Sequence, residues 1–140
     1  MISFFVPGKP QAQGSKVKGR YGNMREANKE LGPWRERVAM MAHQESPPGL
    51  NYLPGVAVTA AMELVLYRPV SAPKSKTVNP CKKPDLDKMV RAILDALTNV
   101  LWADDTQVTA VWARKRVADL GESPGVHVWV GVDENTGPTH

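Results

Sequence analysis

Residues 56–68 place the strongest constraint on the fold, because Val56, Val58, Ala60, Met62, Leu64 and Leu66 fall on one face of an extended chain at a period of two. A strand with one apolar face needs neighbouring strands and a covering layer. Arg68-Pro69 ends it. From Pro69 to Pro84 the chain carries Pro69, Pro73, Pro80 and Pro84 among Lys74, Lys76, Lys82 and Lys83. That stretch is too rich in proline and charge for a core element, so residues 69–84 read as a long basic loop. The period then changes. Leu86, Met89, Val90, Ile93, Leu94 and Leu97 recur at helical spacing, which predicts a helix from about Asp85 to Thr98. After a turn at 103–106, Gln107 to Val117 reads as a strand. Val126, Val128, Val130 and Val132 give another by strict alternation.

The first part of the chain is plainer. Residues 2–6 form a short strand that stops at Pro7-Gly8-Lys9-Pro10, and a basic loop spanning 9–30 follows without hydrophobic period. That loop is either a connector or an arm that grips phosphates. Gly32-Pro33 opens a helix with proline at its first position, and Trp34, Val38, Met41 and Ala42 share its apolar face. Pro47-Pro48-Gly49 ends it. The sum is one α+β domain over 1–140, a small mixed β-sheet with two main helices packed against it and a frayed tail at 134–140.

Several chemistries are excluded. The single cysteine, Cys81, forms no internal disulfide, and His43, His127 and His140 stand in no metal-ligand or triad spacing, so carboxylates must carry any metal chemistry. The longest apolar run is Val38–Ala42, far below the roughly 20 residues that cross a bilayer, and the start has no signal-peptide core. The expectation is a cytoplasmic protein with no membrane partner. The net charge of +4 is unevenly laid out. Residues 1–83 hold 13 Lys/Arg against 5 Asp/Glu, whereas 84–140 hold 5 against 9. A polyanion would be drawn to the first part, and the second has carboxylates to hold divalent cations.

Those carboxylates are Asp85 and Asp87, then Asp95, then Asp104 and Asp105. Within a helix, residues two apart diverge by about 200°, so Asp85 and Asp87 face one ion only if Asp85 is extended or capping while Asp87 lies in the first turn. Asp104-Asp105 precedes a strand, and the reading requires a helix–turn–strand return to bring one of them back beside the first pair. Such a cluster suits Mg2+, which takes oxygen ligands and serves in-line phosphodiester hydrolysis. Arg91, four residues from both Asp87 and Asp95, is either part of a salt-bridged stripe or a clamp on phosphate charge. Asp85 is otherwise a helix cap, and Asp104-Asp105 an ordinary turn.

The segments Lys83-Pro84-Asp85-Leu86-Asp87, Leu94-Asp95-Ala96-Leu97 and Asp104-Asp105-Thr106-Gln107-Val108 resemble the RusA family of Holliday-junction resolvases. Phe5-Val6-Pro7-Gly8-Lys9-Pro10, Gln13-Gly14-Ser15-Lys16 and Pro33-Trp34-Arg35 fit the same family less diagnostically. The resemblance implies a homodimeric endonuclease that cuts four-way or branched DNA with Mg2+, or Mn2+ in its place, by paired nicks, in a bacterial or phage setting. It implies metal-binding catalytic carboxylates at Asp85, Asp87 and Asp105, with Asp104 as neighbour. The family's lysine one turn past the second aspartate is Arg91 here, which keeps the charge but not the capacity to lose a proton. The family's asparagine after that aspartate is Lys88. Lys9, Lys16, Lys18, Arg20, Lys74, Lys76, Lys82, Lys83, Lys88 and Lys115 are the DNA-contact candidates. A flap or branched-DNA nuclease, and a non-catalytic basic DNA-binding module, are the competing readings.

Overall fold

The computed structural model describes residues 1–14, 16–18, 24–26, 28–47 and 51–134. In chain order these form β1 (Ile2–Pro7), β2 (Lys16–Lys18), β3 (Met24–Glu26), α1 (Leu31–Glu45), β4 (Val58–Leu66), α2 (Leu86–Leu97), a 3₁₀ turn at Asp105–Gln107, β5 (Val108–Val117) and β6 (Gly125–Val132). Four strands make one sheet in the order β1-β6-β4-β5. β1–β6 and β6–β4 are antiparallel, while β4 and β5 run parallel. A parallel neighbour cannot be reached by a hairpin, and α2 is the crossover that joins the two. A sheet with two helices is the α+β fold that the periodicities predict, and its mixed strand directions are those that the family resemblance implies.

The alternation works as packing. Val58, Ala60, Met62 and Leu64 meet Val126, Val128 and Val130 and the β1 residues Ile2, Phe4 and Val6 on one face. Trp34 and Val38 of α1 and Met89, Ile93 and Leu97 of α2 cover that face. Trp102 closes the far end of the core, its indole Nε1 donating to Thr98 Oγ1 at 3.1 Å. Among the described residues no helix covers the opposite sheet face, which carries Trp129 and Trp112, 37% and 54% exposed.

Two details differ from the sequence expectation. The 9–30 segment contains an antiparallel ribbon, β2 against β3, with Lys16 opposite Glu26 and Lys18 opposite Met24. Strands of three residues are too short to show a period, so pattern alone leaves them as loop. Pro33 is the third residue of α1, not the first. The N–H groups of a first turn have no intrahelical partner, so proline fits there without losing a hydrogen bond. Arg20 and the tail at 135–140 lie outside the described residues.

At the turn from β5 to β6, Arg116 makes a two-pronged contact with Glu122, Nη1 to Oε1 and Nη2 to Oε2, both 2.6 Å. Its Nε donates to Glu63 Oε1 at 2.9 Å. Hydrogen bonds from Arg116 first, and from the Asp119 backbone N–H, pull Glu122 from its ordinary 4.5 to about 2. The folded carboxyl therefore holds its proton less readily than the unfolded one, so its stabilisation is complete above about pH 4.5 and fades as pH falls toward 2. Glu122→Gln should lower the melting temperature at pH 7 and flatten its decline between those pH values, as read by circular dichroism.

Candidate active site

The chain enters α2 at Asp85, whose backbone is extended (φ −69°, ψ 137°) while Asp87 sits in the first helical turn. That is the local geometry the Asp85/Asp87 pair needs in order to converge. Asp85 does not act as a side-chain cap, because its carboxylate accepts nothing from the helix N–H groups. Instead it is exposed, with the Lys88 ammonium 3.6 Å away. Asp87 is exposed as well. The segment before Asp85 is fastened to the sheet from below. Lys115 Nζ, half-buried near the end of β5, donates to the carbonyls of Lys82 at 2.8 Å and Pro84 at 2.9 Å. With two of its three donors so engaged, Lys115 supports the loop that carries Asp85.

Asp85 opens onto a cleft of about 510 Å³ whose walls bring Lys9, Lys83 and Lys88 together with Asn28 and Gly14. Gly8 makes this possible at the end of β1. Its φ is +131°, and a Cβ there would stand 2.5 Å from Arg37 Nη1, so glycine alone turns the chain and delivers Lys9 to the wall. On the other wall the backbone N–H of Gln13 donates to the Lys88 carbonyl at 3.1 Å, tying the first loop to α2. Gln13 Oε1 is buried there without a partner among the described residues. Asn28 Nδ2 donates to Gln11 Oε1 at 3.0 Å and to the Ala12 carbonyl at 3.3 Å, and so shapes the rim. Sequence reading misses Asn28 and Gln11, since a lone amide in a loop carries no spacing signal.

The second acidic pair is elsewhere. Asp104 caps the 3₁₀ turn: its Oδ1 accepts from the Thr106 N–H at 2.9 Å, and Gln107 Oε1 accepts from the Asp104 N–H in return. The backbone bond from Thr106, then the Thr106 side chain and the Asp105 carboxyl, hold Asp104 below the usual carboxylate range. This turn precedes β5, whereas Lys115, which touches the Asp85 loop, is near the opposite end of that strand. The twelve residues of α2 separate the two groups by about 18 Å along the helix axis. The expected return of Asp104-Asp105 to Asp85 and Asp87 is therefore not made within one chain. A parallel crossover sends the helix down the sheet before β5 comes back up, which fixes the acids at opposite ends. Among the described residues, no three His, Cys, Asp or Glu side chains are grouped to hold a metal ion.

The basic candidates divide likewise. Lys9, Lys83 and Lys88 line the cleft, and Lys82 with Lys9 and Lys83 borders an adjoining hollow of about 280 Å³ floored by Leu66 and Val117. Lys74 lies in a different hollow beside Leu120 and Glu122, and Lys76 is exposed on the same loop. Arg68 organises that loop by donating to the carbonyls of Pro73, Lys76 and Ala118. Lys16 and Lys18 are on β2. Arg91 is exposed on α2, and neither it nor Asp95 takes part in an ion pair among the described residues, so the salt-bridged stripe is not formed.

A family model described as endodeoxyribonuclease RusA matches residues 7–130, which takes in both loops, both helices, β4, β5 and most of β6 but only the last residue of β1. A protein of Bacillus subtilis (strain 168), carrying the name uncharacterized protein YqaN, is 29% identical over 143 residues, covering 92% of this chain and 94% of its own.

Proposed function

Since the chain belongs to the RusA endodeoxyribonuclease family, we propose that it is a divalent-metal-dependent nuclease that resolves four-way DNA junctions by paired nicks as a homodimer. The observation that carries this reading is the head of α2. There a carboxylate free of capping duty stands at the mouth of a cleft lined by three lysines.

Asp85 and Asp87 fit a hard cation in donor chemistry: both offer exposed carboxylate oxygens, and Mg2+ is held through one or two carboxylates with water completing its shell. When bound, the ion supplies Lewis-acid stabilisation of phosphoryl charge and makes water acidic enough to be a nucleophile. Lys9, Lys83 and Lys88 hold the strand by its phosphates, and the uncapped N-terminus of α2 adds a favourable dipole for an anion. Arg91 contributes positive charge four residues past Asp87, as a fixed cation that offsets charge on the scissile phosphate without donating or accepting a proton. Lys115 positions the loop that presents Asp85. Lys115→Met should slow cleavage about tenfold yet leave the salt dependence of junction binding unchanged. A direct phosphate contact would instead lower the slope of log affinity against log salt by about one.

The test is the purified chain with a mobile four-way junction, in Mg2+ and in chelator. Symmetric nicks on opposing strands in Mg2+ alone support the reading. Preferential cutting of flaps in a panel of branched DNAs would replace it with a flap nuclease, and tight binding without cleavage under any divalent ion would leave a DNA-binding module.

A further inference from the structure

The hollow that adjoins the lysine-lined cleft differs from it in character. Its volume is about 280 Å³, its floor is Leu66 and Val117 where β4 and β5 end, and its walls include Tyr67 and Val78. Lys9, Lys82 and Lys83 border it, and among the described residues no carboxylate does. Lys9, Lys83 and Pro84 also line the cleft, so the two spaces share a wall. An apolar recess beside clustered positive charge suits a ligand that is anionic at one end and flat and weakly polar at the other.

The recess is held open by the fold. Residues 67–85, between β4 and α2, form no strand or helix, yet two cations fasten them from different sides. Arg68 donates to the carbonyls of Pro73, Lys76 and Ala118, and Lys115 to those of Lys82 and Pro84. Val78 and Asn79 lie between these anchors, so little of the wall is left to order when a ligand enters.

Two wall residues give the hollow its selectivity. Tyr67, 58% exposed, offers an aromatic face on which a planar ring can stack. Asn79 Oδ1 accepts from the Cys81 N–H at 2.8 Å. An N–H only donates, so that bond fixes which end of the amide faces the loop and leaves Nδ2 as a donor with no partner among the described residues.

We propose that this hollow takes one unstacked nucleobase of the DNA strand whose phosphates the cleft lysines hold. The recess follows from the loop and its two anchors, whereas DNA as its occupant rests on the nuclease reading. Its volume is just below the roughly 300–1,000 Å³ of pockets for drug-sized ligands, which is the scale of a single base. A branch point supplies such a base readily, since unstacking takes least energy where pairing is already interrupted. Asn79 Nδ2 then discriminates at this position. Thymine, guanine and cytosine each present a keto oxygen to accept from it, and adenine presents none.

Junction binding in chelator tests this without any need for cleavage. A single abasic site is moved through the nucleotides flanking the branch point of a four-way junction. The wild-type chain should bind one of these junctions about tenfold more weakly than the intact one, the loss of one stacked base. Val78→Trp, which fills the hollow from the loop, should bind the intact junction about tenfold more weakly and lose nothing further at the abasic position. Its salt dependence should be unchanged, because no phosphate contact is removed. Wild type should bind adenine at that position about fivefold more weakly than thymine, the worth of one hydrogen bond, and Asn79→Ala should erase that difference. Circular dichroism checks the fold of both variants, and the Asn79→Ala comparison still decides if Val78→Trp misfolds. Abasic penalties below about twofold at every position, or an undiminished penalty in Val78→Trp, would overturn the base pocket and give the hollow to an occupant other than DNA. Equal binding of adenine and thymine by wild type would remove Asn79 from base selection. A chain that shows these penalties yet cuts nothing in Mg2+ overturns the nuclease reading and leaves the pocket standing, and one that cuts without them does the reverse. A chain that binds no junction overturns both.

Discussion

Asp87→Asn should reduce metal-dependent junction cleavage by roughly 100-fold or more, a loss of at least about 2.7 kcal/mol of transition-state stabilisation, while junction affinity in chelator stays equal or tightens. The two effects have opposite signs for one reason. On the proposed reading the carboxylate is a ligand when metal is present and an unwanted negative charge near phosphate when it is absent. Asp87 is exposed and the helix keeps its shape with asparagine in its first turn, so the melting temperature should change little. Gel-shift titration and single-turnover cleavage on the same preparation make the comparison. Unchanged cleavage would remove Asp87 from the site, and a parallel loss of binding would recast it as a structural residue.

Gln107→Leu should be strongly destabilising. Gln107 is almost fully buried, with its amide joining two segments. Nε2 donates to the carbonyls of Leu53 at 2.7 Å and Val56 at 3.1 Å, while Oε1 accepts from the N–H groups of Ala103 and Asp104 at 2.9 and 3.0 Å. Leucine has a similar volume but leaves those backbone groups without their partner. At about 1–3 kcal/mol for each buried group that finds no water, a total of about 3 kcal/mol is expected. That corresponds to a fall of about 10 °C in melting temperature for a domain of this size. The Asp104-Asp105 turn would loosen with it, since Gln107 is half of its capping box. Thermal unfolding by circular dichroism checks the first effect. A change under about 2 °C would show that solvent replaces the lost bonds.

Much of this fold is legible in the chain. The alternation at Val58–Leu66 and Gly125–Val132 and the helical period at Leu86–Leu97 mark elements whose apolar faces must be buried, and each is found within a residue or two of where the period puts it. At Asp85 the chain alone favours a cap over a ligand. The side chain's hydrogen bonds remove the cap there and form one at Asp104 instead. The β2–β3 ribbon and the rim residues Gln11 and Asn28 leave no periodic trace, because each is defined by a partner distant in sequence.

The amino-acid sequence by itself determined which residues are apolar at period two or 3.6, and hence which segments are strands and helices and where prolines stop them. Only the tertiary structure decided that β4 and β5 are parallel neighbours. Strand direction depends on pairing between segments some forty residues apart, and local periodicity is the same for either direction. That pairing makes α2 a crossover running along the sheet, and the length of α2 holds Asp85 at its head apart from Asp105 at the start of β5.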